Sequence, residues 1–137
     1  MKPGLCLLIC FLSPALMAAG LPKHIEKKQR KIVSRTYQLT DAQLSICPPA
    51  LKDDYQASLD VFRSRYPEFN RLVRTSEYFQ PAVAAFADDV ERSQQESDEI
   101  RSRNCLLAKE LLETLMNNEE APHSIADMTA ILRQGAE

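Results

Sequence analysis

Glycine is missing from almost the whole chain. Only Gly4, Gly20 and Gly135 occur among 137 residues, so the stretch from 21 to 134 contains none. Nucleotide-binding loops of the G-x-x-x-x-G-K and G-x-G-x-x-G types need glycine, and so do tight β-hairpin turns, because glycine adopts positive φ without steric cost. The sequence therefore argues against these motifs and predicts an all-α fold, a small four- or five-helix bundle.

The first twenty residues have the layout of a secretory signal. Lys2 provides a positive start, residues 5–12 are an uninterrupted apolar run, and Ala18, Ala19 and Gly20 are small. We expect residues 1–20 to be a cleavable signal peptide, cut after Gly20 in preference to Ala19. The alternative is a retained membrane anchor, although the apolar run is much shorter than the roughly 20 residues that cross a bilayer. This segment predicts a periplasmic or secreted protein.

Cysteine usage agrees with export. Loss of the signal would remove Cys6 and Cys10 and leave Cys47 and Cys105. In an oxidising compartment two remaining thiols most simply form one intramolecular disulfide, and the alternatives are two free thiols or a bridge between chains. A single bridge, together with the lack of an N-x-S/T glycosylation acceptor, favours a bacterial periplasm over animal secretion.

Charge divides the chain unevenly. Residues 21–40 carry six basic side chains and one acidic one, whereas from Asp41 onward there are ten basic and eighteen acidic. We interpret residues 21–38 as a basic flexible arm and residues 39–134 as a single helical domain. The arm either is a solvated leader or makes weak contact with an anionic membrane or glycan surface. The acidic body argues against nucleic acid as a partner.

Apolar residues at helical spacing predict three of the helices. One runs over 49–66 after the helix-breaking Pro48, a short one starts at Pro67, and the last starts at Ser124. The residues expected to face the core of the first two are Leu51, Tyr55, Leu59, Phe62, Phe69, Leu72 and Val73.

Residues 76–117 carry an apolar seam in alternating steps of four and three, which predicts one long helix. The stretch 91–99 contains no hydrophobic residue, so two antiparallel helices are the alternative, and the continuous helix fits the strong helix formers better. The seam consists of Phe79, Val83, Phe86, Val90, Ser93, Ser97, Ile100, Asn104, Leu107, Leu111 and Thr114.

Candidate catalytic groups are few. His24 lies in the basic arm and His123 lies beside Pro122, and neither has a second ligand at metal-binding spacing. Adjacent carboxylates such as Asp53 and Asp54 point about 100° apart on a helix and do not converge on one site. We therefore expect no enzymatic activity, no metal and no cofactor.

A mixture of arginine and aromatic residues, followed by the polar interruption of the seam, suggests a surface for another protein. The candidate binding residues are Arg71, Arg74, Tyr78, Phe79, Arg92, Ser93 and Ser97. The sequence thus predicts an exported helical protein that binds one specific protein partner, as an immunity or inhibitor protein or as an envelope-assembly adaptor.

The segment Leu39-Thr40-Asp41-Ala42-Gln43 supports an alternative function. It is similar to the L-T-x-x-Q motif of the CpxP/Spy-like periplasmic stress chaperones, which are small, exported and helical, and this resemblance implies a chaperone for unfolded clients. The similarity covers five residues and one copy of the motif. Because a capping box with Thr40 as N-cap and Gln43 at N3 accounts for the same residues, the chain is not assigned to that family.

Overall fold

The computed structural model describes residues 20–135, which form six helices and no strand. Helix α1 comprises Lys23–Tyr37, a π-helical turn at Gln38–Ala42 and a final turn at Gln43–Ile46. The other helices are α2 (Pro49–Arg65), α3 (Pro67–Thr75), α4 (Phe79–Gln94), α5 (Asp98–Asn117) and α6 (Ala121–Arg133).

The predicted small all-α bundle with one disulfide is confirmed, with six helices in the place of four or five. None of the helices in residues 20–135 combines the length and the apolar character that a membrane span needs. The predicted signal peptide, apart from Gly20, lies outside the described residues.

The prediction of a flexible arm over residues 21–38 is wrong in the folded chain, since this segment forms most of α1. Gln29, Val33 and Tyr37 recur every four residues along one side of the helix and are buried, Val33 completely. The basic residues occupy the other positions of the helix, which are largely exposed to solvent. A charge count detects the exposed side of such a helix and overlooks the narrow buried side.

The predicted capping box at Thr40 is also wrong, because no helix begins there. The backbone continues through the π-helical turn in α-helical dihedral angles, and the Thr40 hydroxyl donates to the Thr36 carbonyl at 2.7 Å. The Tyr55 hydroxyl donates to the Leu39 carbonyl, and burial raises the pKa of this phenol, which keeps it protonated as a donor. The carboxylate of Asp41 pairs with Arg63 at 2.7 Å and so ties α1 to α2.

Prolines begin α2 and α3 as predicted. Pro49 and Pro67 each occupy the first helical position, where the missing N–H is not needed and the fixed φ suits a helix. The core-facing residues predicted for these two helices pack into one cluster with α1, α5 and α6. Its buried members from α2 and α3 are Tyr55, Leu59, Phe62, Phe69, Leu72 and Val73.

The disulfide between Cys47 and Cys105 is confirmed. Cys47 directly follows α1 and Cys105 lies in the first half of α5, with 5.2 Å between their Cα atoms. Both residues are only 1% exposed, so the bond belongs to the core. It joins the corner between α1 and α2 to α5 and thereby fixes which side of α5 faces inward.

The expectation of one continuous helix over 76–117 is wrong, because the chain turns at Gln95 and Glu96. Ser97 ends the turn as the N-cap of α5, with its hydroxyl accepting from the Ile100 amide at 3.4 Å. Asp98 and Glu99 follow in the first turn, where carboxylates stabilise a helix start. With no apolar residue in 91–99 to hold a straight helix against the bundle, local capping decides the geometry.

Gln29 joins the first helix to the last. Its side-chain amide donates to the carbonyls of Ile131 and Gln134, both at 2.8 Å, at the end of α6, where the Ile131 carbonyl also accepts from the Gln134 backbone amide at 3.2 Å. We expect Gln29→Ala to lower the free energy of unfolding by about 1–3 kcal/mol, because it removes the two hydrogen bonds that the buried Gln29 amide donates to α6. Urea denaturation measures this loss, with Lys27→Ala, an exposed change on the same helix, as the control. Equal small losses of unfolding free energy in Gln29→Ala and Lys27→Ala would contradict the role of Gln29 in joining α1 to α6.

Candidate binding surface

The first group of predicted partner-binding residues is engaged within the fold. The Arg74 guanidinium pairs with Asp41 at 3.0 Å and lies 5.7 Å from the ring centre of Phe79. The ring of Phe79 packs edge-on against Tyr37 with 5.7 Å between their centres. The ring of Tyr78 carries the guanidinium of Arg30 at 5.0 Å. These side chains hold α1, α3 and α4 together, and Arg71 beside them is exposed.

The second predicted group lies at the other end of α4. Arg92 forms an ion pair with Asp89 one turn back, Ser93 is half-buried, and Ser97 caps α5. Fourteen residues of helix, about 20 Å, separate Phe79 from Ser93. The two predicted groups therefore do not form one surface.

A line of large aliphatic side chains on α5 is exposed instead. Ile100 is 40% exposed, Leu107 57%, Leu111 53% and Leu115 49%. The spacing of seven, four and four residues places them on one side of the helix along about 22 Å of its length. We call these four residues the α5 stripe.

The disulfide explains why the stripe faces solvent. Cys105 and Leu112 are each 1% exposed and define the buried side of α5. At about 100° per residue, Leu107 and Leu111 lie roughly 160° and 120° around the helix from Cys105. The seam predicted for residues 76–117 is correct for α4, where Val83, Phe86 and Val90 pack against the bundle, and continues on the outer side of α5.

Charged residues border the stripe. Glu99 and Arg103 pair with each other at 3.6 Å along its solvent side, and Glu110 follows two turns later. Glu96 and Asp98 lie just beyond Ile100, at the start of α5. This border is net acidic, so it favours a partner with basic residues beside its own apolar face.

The backbone under the stripe is held firmly. Besides the disulfide, the Arg101 guanidinium reaches back to α1 and donates to the Ile46 carbonyl at 2.9 Å. On the α2 side, Glu113 accepts a hydrogen bond from the Ser58 hydroxyl at 3.1 Å and pairs with Lys109, and the Lys109 and Ser58 bonds lower the pKa of the Glu113 carboxyl. The stripe is thus an apolar line on an anchored helix.

A cavity of about 460 Å³ opens at the Leu115 end of the stripe, between α1, α2, α3, α5 and α6. Its apolar lining residues are Ile32, Leu39, Phe62, Tyr66, Phe69, Leu112, Leu115, Met116, Ala121, Ile125, Met128 and Ile131. Lys28, Lys31 and Arg35 of α1 also line it, and Glu120 is the one carboxylate among the lining residues. Leu115 belongs both to the stripe and to this cavity.

A comparison with protein-family models, with curated proteins and with solved structures found no match to this chain. Within residues 20–135 no three histidine, cysteine or acidic side chains are grouped so that they could hold a metal ion. The two histidines of the chain, His24 and His123, are both exposed. The function proposed below is therefore argued from the geometry of the stripe and the cavity.

Sequence reasoning missed the stripe because it assigned Ile100, Leu107 and Leu111 to the core. The signal that could have found it was already present. If Cys105 is bonded to Cys47, its side of the helix is buried, and Leu112 shares that side at a spacing of seven residues. The predicted disulfide therefore fixes which side of α5 is buried, and the leucines on the side opposite Cys105 are the exposed ones.

Proposed function

We propose that this chain is an exported helical protein that binds one specific protein partner, as an immunity or inhibitor protein or as an envelope-assembly adaptor. The α5 stripe is the docking surface in this proposal. The single observation that carries it is the line of four aliphatic side chains, each 40–57% exposed, on one side of one helix. Contiguous exposed apolar surface of this kind marks interaction sites in soluble proteins.

The partner segment that fits the stripe is an amphipathic helix. The stripe is straight, about 22 Å long and one residue wide, which matches the apolar face of about four helical turns. The border formed by Glu99, Arg103 and Glu110 is net acidic, and the cluster of Glu96 and Asp98 adds to it at one end. A partner helix with lysine or arginine beside its apolar face complements this border, whereas a second copy of α5 would bring the same net acidic border.

Rigidity favours a dedicated partner over many unfolded clients. Proteins that accept varied clients use flexible or methionine-rich surfaces that can repack. The stripe contains isoleucine and leucine only, on a helix fixed by the Cys47–Cys105 bond and by the contact of Arg101 with Ile46. A preorganised surface loses little conformational entropy on binding and can therefore be selective.

Export is part of the same proposal. The signal-like layout of residues 1–20 supports it, and so does a disulfide placed in the core, since such bonds persist in oxidising compartments. An immunity protein, an inhibitor and an assembly adaptor of the cell envelope would each act through a stable exported fold with one shaped surface.

A photocrosslinking residue placed at Leu111 tests the proposal in the cells that produce the protein. We expect one partner to be captured in a fixed ratio, and we expect the crosslinked peptide of that partner to be an amphipathic helix. The control carries the same crosslinker at Ala57, an exposed position on α2 outside the stripe. The purified partner should then bind the untagged protein saturably.

Each other outcome contradicts the proposal in its own way. A broad spread of unrelated proteins at Leu111 would indicate the chaperone alternative. Capture of a second copy of this chain would indicate self-association through α5. Equal capture from Leu111 and Ala57, or none from either, would show that the stripe is not a docking surface.

A further inference from the structure

The cavity beside α1 combines an apolar interior with a cationic rim. Its volume of about 460 Å³ falls in the lower part of the ~300–1,000 Å³ range of ligand pockets. The interior is formed by leucine, isoleucine, methionine and phenylalanine side chains from five helices. Such a space takes one flexible hydrocarbon chain and is small for a lipid with two.

The rim cations are arranged for a single anionic group. Lys28, Lys31 and Arg35 are three and four residues apart, which places them in a row on one side of α1. None of these three side chains forms an ion pair or a hydrogen bond with another described residue. Glu120 offsets one of the three charges, so the rim keeps a net positive charge.

Apart from Leu115, which the cavity shares with the stripe, these features do not belong to the protein-binding proposal, which needs only the outer side of α5. Exposed cations on a surface helix usually face open solvent, whereas here they stand over an apolar cavity. An apolar pocket alone accepts a neutral oil as readily as an acid, and the row of cations is what selects an anionic head. The planar guanidinium of Arg35 suits a carboxylate, which it can bind with two parallel hydrogen bonds.

We propose that this cavity binds a long-chain fatty acid. The acyl chain lies between α1, α5 and α6 among Ile32, Leu112 and Met128, and the carboxylate lies at Lys28, Lys31 and Arg35. Burial of the CH₂ groups of the chain away from water stabilises the complex. This proposal does not depend on the proposed protein partner of the α5 stripe.

The test titrates the disulfide-bonded protein with dansylated undecanoic acid and with its uncharged methyl ester, both below their micelle concentrations. We expect saturable binding of the acid with one molecule per chain, displacement by palmitate, and binding of the ester at least about tenfold weaker. Palmitate should also raise the melting temperature, because a ligand that binds only the folded state stabilises it.

Two sets of variants locate the site. Replacing Lys28, Lys31 and Arg35 by glutamine should weaken binding of the acid about tenfold or more and leave binding of the ester unchanged. The control replaces Lys23 and Lys27 by glutamine, on the same helix but outside the cavity. This control should change the binding of neither compound. Met128→Trp should fill the cavity and weaken both compounds. The proposal would be overturned if the acid and the ester bound with equal affinity or if neither bound saturably. It would also be overturned if the rim variant and its control had equal effects, or if Met128→Trp left binding unchanged.

Discussion

The double variant Cys47→Ala, Cys105→Ala is expected to lose about 4 kcal/mol of unfolding free energy. The bond closes a loop with a sequence separation of 58 residues, and the chain-entropy relation gives about this value for a loop of that length. Small domains have a total stability of about 5–15 kcal/mol, so the variant would lose between about a quarter and four fifths of it.

The position of the bond adds to this effect. Both cysteines are 1% exposed, and alanine leaves the volume of two sulfur atoms empty in a core that also contains Tyr55 and Leu112. Urea denaturation of the variant, of the oxidised protein and of the reduced protein separates the two contributions, since reduction opens the loop and keeps both sulfur atoms. A loss below about 1 kcal/mol in both the reduced protein and the variant would contradict the structural role of the bond.

The variant Leu107→Ala, Leu111→Ala is expected to weaken partner binding about a thousand-fold. Truncation of an interface hot spot costs at least about 2 kcal/mol. We expect both leucines to be hot spots because they lie at the centre of the stripe, so together they cost about 4 kcal/mol, and each 1.4 kcal/mol is a factor of ten. The fold should be unaffected, because both side chains are more than half exposed and alanine has the highest helix propensity. Calorimetric titration with the purified partner measures the change in affinity.

Leu106→Ala is the matched control for this pair. Leu106 is the same residue type on the same helix and is 54% exposed, but it lies about 100° around the helix from Leu107, outside the stripe. Its truncation should leave the affinity within about twofold. Equal losses from Leu106→Ala and from the stripe variant would mean that general hydrophobicity, and not the stripe, determines binding.

Local signals predicted local structure well. Proline at the first position of α2 and α3, together with apolar residues at helical spacing such as Leu59 and Leu72, defined two helices and their buried sides. The disulfide followed from counting the cysteines that lie outside the predicted signal peptide. These features depend on residues close in sequence or on a choice with few alternatives.

Features that depend on tertiary contacts were predicted less well. The segment 21–38 is strongly basic, and only its packing against α4 and α6 reveals that Val33 and Gln29 are core residues. The arginine and aromatic residues at Arg74 and Phe79 have the composition of an interface, but they are engaged with Asp41 and Tyr37 inside the molecule. Composition therefore indicated a contact surface and could not say whether its partner is the same chain.

Leucine and isoleucine methyl resonances followed during titration with the partner test the central claim most directly. The account predicts shifts of the methyl signals of Ile100, Leu107, Leu111 and Leu115, with the signals of Leu106 unchanged. Shifts confined to residues around α3 and the start of α4, such as Leu72, with the stripe signals unmoved, would contradict the claim that α5 is the binding surface.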